Sequence, residues 1–495
     1  MHLFGESLSA GTAFFLVLAL GLALSFEFVN GFHDTANAVA TVIYTHSLKP
    51  VIAVVWSGIW NLIGVLQSSG SVAFSIVALL PVELVLNVGS GAGFAMVFSL
   101  LLSAIIWNLG TWYLGLPASS SHTLVGSIMG VGLANSFVAP GHVFGEGVNW
   151  AKAHDVFASL ILSPIVGFCG AGLLLLVSKL LIRREDLYRP PEGEKPPPLW
   201  IRGLLMLTCT GVSFFHGSND GQKGMGLLVL ILVGILPGTY ALNPATKQAD
   251  IQKIVANSQR AAPILDKRKH NDENGQTAVV DLSDYLKTKG VANARVFDAL
   301  AGKNHDILDE LSNRSSYSDL TVDQRKKFRS DIYLMSESIN KLIRTKKITD
   351  ADEAKTLSQY STSLAKETKF IPNWVKFAVA LALGCGTMIG WKRIVITVGE
   401  KIGKEHLTYA QGASAEIVAM ATIGLADKWG LPVSTTHVLS SGVAGTMAAN
   451  RSGLQMETLR NILLAWVLTL PVCVLLGAGI FSFSFYIVFH ILGIR

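Results

Sequence analysis

Asp34 and Asp220 are the residues whose surroundings first demand a chemical reason. Each sits in a short polar motif among apolar stretches, "GFHDTANA" (31–38) and "GSNDGQKG" (217–224). A carboxylate within a membrane segment costs at least a few kcal/mol, and such residues mark ion or proton paths. Asn37 and Asn219 place amide oxygens beside the carboxylates. Carboxylate, amide and hydroxyl oxygens together suit a hard cation. The second motif departs from that pattern, because Lys223 stands where the first has Asn37, and Asn219 where the first has His33. A lysine defeats a cation site but can neutralise Asp220 or meet an anion directly. Imidazole titrates near neutrality, so His33 favours proton over sodium coupling. Glu27 lies two helical turns before Asp34 on the same face and can join a proton relay.

A second pair of motifs carries hydroxyls. "GLPASSSHTLVG" (115–126) returns as "GLPVSTTHVLSS" (430–441), with Gly, Leu, Pro, Ser, His and Leu at identical places. Ser119, Ser120 and Ser121 correspond to Ser434, Thr435 and Thr436. Consecutive helical residues point about 100° apart, so three hydroxyls cannot line one face; they make sense at a helix start. There they cap free N–H groups while the dipole faces an anion, and Pro117 and Pro432 suit the turn just before. Two such starts, one per copy, can converge on a tetrahedral oxyanion such as phosphate. His122 and His437 follow the clusters. A Ser/His pair suggests a hydrolase, but catalysis needs one nucleophile with one oriented base, and a duplicate of both is unexpected. Hydrogen bonding that orients the hairpins is the preferred role.

The elements that hold these residues are membrane helices. The chain has 495 residues, half of them hydrophobic and 15% charged, with a mean hydropathy of +0.46. That composition is an integral membrane protein with many spans. Its net charge of +6 reflects loops facing the cytoplasm; the bases are scattered without interleaved aromatics, so nucleic acid is not an expected partner. The four cysteines lie far apart in apolar runs, with no metal or redox spacing. No Lys or Arg precedes the first apolar stretch, so it reads as an uncleaved first span with the N-terminus outside the cytoplasm. Apolar stretches near 201–215 and 225–240 flank the second Asp motif. "RREDLYRPPEGEKPPPLW" (183–200) is a basic, extended cytoplasmic linker. Residues 243–370 form a polar, partly helical insertion, in which Ile332, Leu334, Met335, Ile339, Leu342 and Ile343 recur at helical spacing.

Both halves present the Asp motif first and the Pro–hydroxyl–His motif second, the mark of a duplication. Duplicated halves with polar, interrupted segments at matching positions signal a secondary transporter with its site where the halves meet. "NGFHDTANAVATVIYT", "LPASSSHT", "FHGSNDGQKG" and "LPVSTTHVLSS" closely resemble the PiT inorganic phosphate transporter family, bacterial low-affinity Pit branch. The resemblance implies an all-α polytopic membrane fold of two inverted repeats with broken helices and re-entrant helical hairpins, of about 10–12 membrane segments. The implied division is 1–182 as the N-terminal repeat, 183–199 as linker, 200–242 and 371–495 as the C-terminal repeat, and 243–370 as the insertion.

The resemblance also implies alternating access and a phosphate site between the Asp segments and the hairpin tips. That carries onto Asp34, Asn37, Ser119, Ser120 and Ser121, and onto Asn219, Asp220, Ser434, Thr435 and Thr436, with Lys223 beside them. Many members use sodium, whereas His33 and Lys223 depart from their pattern. The bacterial branch is associated with proton symport and with phosphate carried as a neutral divalent-metal complex, magnesium or similar. The expected reading is therefore a proton-coupled phosphate symporter of the bacterial inner membrane, not an enzyme, with Glu27, His33, Asp34 and Asp220 as the relay. Its partners are inorganic phosphate with arsenate as mimic, protons, co-transported divalent metal ions, the lipid bilayer and a second copy in a homodimer. No tightly bound cofactor is expected. The alternatives are a sodium-coupled phosphate or sulfate symporter and, remotely, an intramembrane Ser/His hydrolase.

Overall fold

The structure, a computed structural model, describes residues 2–34, 36–80, 90–138, 145, 148–191, 193, 195–270, 277–287 and 292–491. After a two-strand N-terminal hairpin, β1 (His2–Leu3) and β2 (Glu6–Ser7), the described chain is helical. The first half holds α1 (Ala10–Asp34), α2 (Ala36–Tyr44), α3 (Pro50–Gln67), α4 (Ser71–Val77), α5 (Gly91–Tyr113), α6 (Ser120–Val138) and α7 (Trp150–Leu181). Next comes α8 (Leu199–Ile235). The insertion contributes α9 (Gln248–Asp266), α10 (Ala278–Lys287), α11 (Ala294–Leu311), α12 (Val322–Arg344) and α13 (Ala351–Thr368). The chain then adds α14 (Asn373–Met388), α15 (Lys392–Glu400), α16 (Tyr409–Lys428), α17 (Thr435–Asn450) and α18 (Met456–Tyr486).

Among the described residues, six helical segments are long and apolar enough to cross a membrane, and α14 supplies a seventh if joined to α13 across a 71° bend. Their outer faces carry exposed Leu173, Leu180, Val467 and Leu475, the exposure that a bilayer covers. In contrast, α6 is buried through Gly132 and α17 through Met447. Their Ser, Thr and Gly content suits helices surrounded by protein rather than lipid.

The halves interlock. α6 packs along α18, and α17 along α7, through glycines with no room for a side chain. A methyl on Gly130 would sit 2.1 Å from the Val474 carbonyl oxygen, and one on Gly445 would sit 2.0 Å from that of Phe168. Each hydroxyl-bearing helix therefore leans on the long helix of the other half.

α8 differs from the sequence expectation. Its motif at 217–224 does not separate two apolar segments; the helix runs 37 residues without interruption, about 55 Å at 1.5 Å per residue. The glycines serve close approach instead of a break. A Cβ on Gly217 would lie 2.1 Å from the Asn61 carbonyl oxygen, and one on Gly224 would lie 2.2 Å from Glu27 Cγ. These contacts draw α3 and α1 against the polar turn of α8.

The insertion has its own apolar core, in which Ile332, Leu334, Met335, Ile339 and Leu342 of α12 are buried. Thr321 and Gln324 form a reciprocal capping box at its start, which fixes where α12 begins. The segments that flank it meet the N-terminus: Glu6 accepts from the Thr239 amide at 2.8 Å, and Phe4 stacks on Trp374 with centroids 5.6 Å apart. The 183–198 linker adjoins the opposite end of α8.

Candidate functional site

The two hydroxyl motifs fold alike, bond for bond. Gly115 and Gly430 take φ of 68° and 66°, a left-handed conformation open to glycine at little cost. Leu116 N donates to Thr111 O and Leu431 N to Ala426 O, both at 2.9 Å, closing the preceding helix in the same way. Ser119 Oγ then accepts from His122 N at 3.2 Å, and Ser434 Oγ accepts from His437 N at 3.1 Å. These are the helix caps that the triple hydroxyls predict. The sequence duplication is thus a duplication of local structure.

The capped tips meet the Asp segments. Ser120 Oγ donates to Asp34 Oδ2 at 2.8 Å and lies 3.4 Å from Asp220 Oδ2. Thr436 Oγ1 donates to Asp34 Oδ1. One carboxylate therefore takes hydroxyls from both tips, and from positions that do not correspond in the repeat. Ser121, the counterpart of Thr436, donates to the Val433 carbonyl at 2.7 Å instead and ties one tip to the other. Thr435 Oγ1 is buried with no hydrogen-bond partner among the described residues.

Between the carboxylates stands His216. Its Nε2 is 3.9 Å from Asp34 Oδ2 and 3.6 Å from Asp220 Oδ2. Its Nδ1 lies 2.7 Å from Asn61 Oδ1, and that amide directs its Nδ2 toward Ser57 and Thr387. Asn61 Oδ1 is an acceptor, so Nδ1 carries the hydrogen and Nε2 faces the carboxylates. Lys223 Nζ sits 2.7 Å from Asp220 Oδ2. Glu27, fully buried, accepts from the Gly224 amide at 2.6 Å and from Asn30 at 3.4 Å. His33 bridges Asp34 Oδ1 at 3.5 Å and Thr111 Oγ1 at 3.1 Å.

The other expected residues lie around this centre. Asn219 donates to the Leu431 carbonyl at 3.2 Å and so braces the second tip. His122 and His437 face each other with ring centroids 4.6 Å apart. Trp466 stacks on His437 at 4.0 Å and donates to the Pro117 carbonyl at 2.9 Å. The side chain of Asn37 falls outside the described residues.

Sequence reasoning missed His216, though it immediately precedes Gly217 and lies one helical turn before Asp220. It also missed Asn61, a lone amide in an apolar helix, and Asp427, which accepts from Ser218 and Gln222 at 2.7 and 2.5 Å. Glu416 was passed over inside an apolar stretch; it is fully buried and accepts from the hydroxyls of Thr41 and Thr208.

The cluster sets groups that suit a cation beside groups that suit an anion. Asp34, His216 and Asp220 each offer a ligand atom, all within 4.8 Å of one another, a nitrogen and oxygen set that suits a divalent ion. Ser120, Thr435, Thr436 and two helix starts offer donors to an oxyanion.

The chain matches the phosphate transporter family over residues 30–477. It is 43% identical to the low-affinity inorganic phosphate transporter PitA of Escherichia coli (strain K12), over 98% of this chain and 99% of that protein. Identity to PitB of the same strain is also 43%, over 95% and 96%. A probable low-affinity inorganic phosphate transporter of Bacillus subtilis is 28% identical over 93% of this chain and 95% of its own. A solved structure described as "The sodium-dependent phosphate transporter" shares the fold, with a TM-score of 0.51, 20% identity, and coverage of 96% of this chain and 100% of that one. The hydrolase alternative falls away with these relatives, since they are transporters. This chain is a multi-pass membrane protein and belongs to the phosphate transporter family.

Proposed function

We propose that the chain imports inorganic phosphate across a bacterial inner membrane by alternating access, coupled to protons, with phosphate travelling as a neutral complex with a divalent metal ion such as magnesium. One observation carries this reading: both hairpin tips and both Asp segments converge on one buried cluster, with Asp34 held by Ser120 and Thr436.

That arrangement supports an order of binding. While Asp34 is ionised, it accepts the Ser120 and Thr436 hydroxyls. A proton or a divalent ion on the Asp34–His216–Asp220 group neutralises the carboxylates and frees those hydroxyls for phosphate. Two helix starts and the Thr435 hydroxyl complete the cradle. Cation and anion then share one low-dielectric site, where a neutral pair is cheaper to move than a dianion. His33 and Glu27 extend the titratable groups away from Asp34 and serve as relay. Arsenate, of the same shape and charge, enters the same cradle.

The two halves are read as inverted repeats, whose interlocked hairpins rock as units. The basic linker faces the cytoplasm, so α8 carries the chain outward and the insertion shares the outer side with the N-terminus.

Uptake of labelled phosphate into proteoliposomes tests the coupling. The reading expects uptake under an imposed proton gradient, stimulated by magnesium and indifferent to sodium. Uptake that requires a sodium gradient would overturn proton coupling, and uptake unchanged by metal removal would overturn the complex.

A further inference from the structure

Lys223 stands, in the second copy of the Asp motif, where the first copy has Asn37. Among the described residues it is the one buried lysine or arginine outside the insertion. Its side chain is fully buried, and Nζ lies 2.7 Å from Asp220 Oδ2. That distance is an ordinary close ammonium–carboxylate contact, with the positive charge set directly on the carboxylate. The oxygens nearby are hard ligands. Asp220 Oδ1 and Asn219 Oδ1 are buried without hydrogen-bond partners, Ser120 Oγ is 3.4 Å from the same carboxylate, and Glu27 is held on the adjacent Gly224 amide.

We propose that the Lys223 ammonium is a tethered cation that permanently fills a monovalent-cation site on Asp220, so that this half of the transporter needs no dissociable sodium. The proposal rests on the transport reading above and names the residue that sets its ion specificity. A covalently attached charge contributes its attraction to Asp220 with no translational entropy lost on binding. It cannot be released, so it drives nothing itself, and coupling is left to the ions that come and go at the Asp34–His216–Asp220 group. Without the ammonium, Asp220 is a buried charge in want of a partner. Replacement of Lys223 by Asn restores the Asp-x-x-Asn spacing of the first copy and adds an amide oxygen where the ammonium was.

The test uses Lys223→Asn, Lys223→Met and Lys223→Arg in the full chain. Melting of the purified proteins is followed in sodium chloride against choline chloride at equal ionic strength, beside phosphate uptake in proteoliposomes. Lys223→Asn should gain a sodium-specific rise in melting temperature, since a ligand that binds only the folded state stabilises it. Its uptake should become sodium-stimulated by about tenfold, the size of a typical coupling between sites. Lys223→Met, which supplies no oxygen, should show no sodium-specific shift and lose uptake in either salt. Lys223→Arg keeps the charge and should stay indifferent to sodium. A folded Lys223→Asn with no sodium-specific shift would overturn the proposal, as would a sodium-specific shift in the unaltered protein. The melting readout stands even if the unaltered chain fails to take up phosphate, which would count against the transport reading alone.

Discussion

Ser120 and Asp34, 86 positions apart, are joined by a 2.8 Å hydrogen bond between a helix tip and a transmembrane carboxylate. The neighbouring Ser119 does something different: it accepts from the His122 amide and caps α6. Ser120 thus meets the binding centre, while Ser119 serves the helix alone. A hydroxyl bonded to a charged group is worth about 1.5–3 kcal/mol. Ser120→Ala should therefore lower kcat/KM for phosphate uptake by roughly 10–100-fold, together with a fall in melting temperature, since the bond to Asp34 is lost from the folded protein. Ser119→Ala should cost about 1 kcal/mol of stability through the lost cap, read as a lower melting temperature with a smaller effect on KM.

The interlock of hairpins and long helices has no room for a methyl group at Gly130 or Gly445. Gly445→Ala would force its Cβ to 2.0 Å from a backbone oxygen of α7, so one helix must move. Thermal unfolding should drop by several degrees, and uptake should fall with it. Gly479→Ala meets nothing within 4 Å and should leave both unchanged.

Trp466 links the two tips by stacking on His437 and donating to Pro117 O at 2.9 Å. Trp466→Phe retains a ring and deletes the donor, leaving the Pro117 carbonyl short of that bond. The cost should be about 1 kcal/mol, and the maximal uptake rate should change more than phosphate affinity, because the bond holds the tips together rather than touching substrate. Altered affinity with an unaltered rate would contradict that role.

In the insertion, burial and then the Arg344 charge push the Lys341 ammonium down to about 8 from an ordinary value of 10.5. Its Nζ donates to the Tyr285 and Leu286 carbonyls at 2.5 and 3.3 Å. Between those two pKa values the unfolded chain holds more protons than the folded one. Stability of the insertion should therefore rise as pH increases through that window. Melting of the unaltered protein and of Lys341→Met across that range checks the sign. The mutant should lack this component of the slope; an unaltered slope would assign it elsewhere.

The repeated Gly-Leu-Pro tips were legible because their rules are local. A left-handed glycine, a capping serine and a helix start are written in consecutive residues, and both copies obey them. The apolar face of α12 was legible by its period. The unbroken α8 was not, because glycine serves both helix interruption and close packing, and only the partner helix decides which. His216 escaped for a similar reason: its importance comes from Asn61 on α3 and Asp34 on α1, which no spacing within α8 reveals. Glu416 is a single acid in an apolar run whose partners, Thr41 and Thr208, lie on two other helices.

The central claim is that phosphate binds where the two tips meet the two aspartates. It is tested most directly by equilibrium binding of labelled phosphate to the purified protein in lipid nanodiscs, with magnesium present. Thr436→Val keeps the shape and removes the hydroxyl that donates to Asp34; Ser120→Ala removes the hydroxyl that donates to Asp34 from the other tip. The account predicts that each weakens phosphate binding by about tenfold or more while each variant remains folded, with a cooperative thermal transition. Phosphate binding unchanged in both variants would place the site elsewhere.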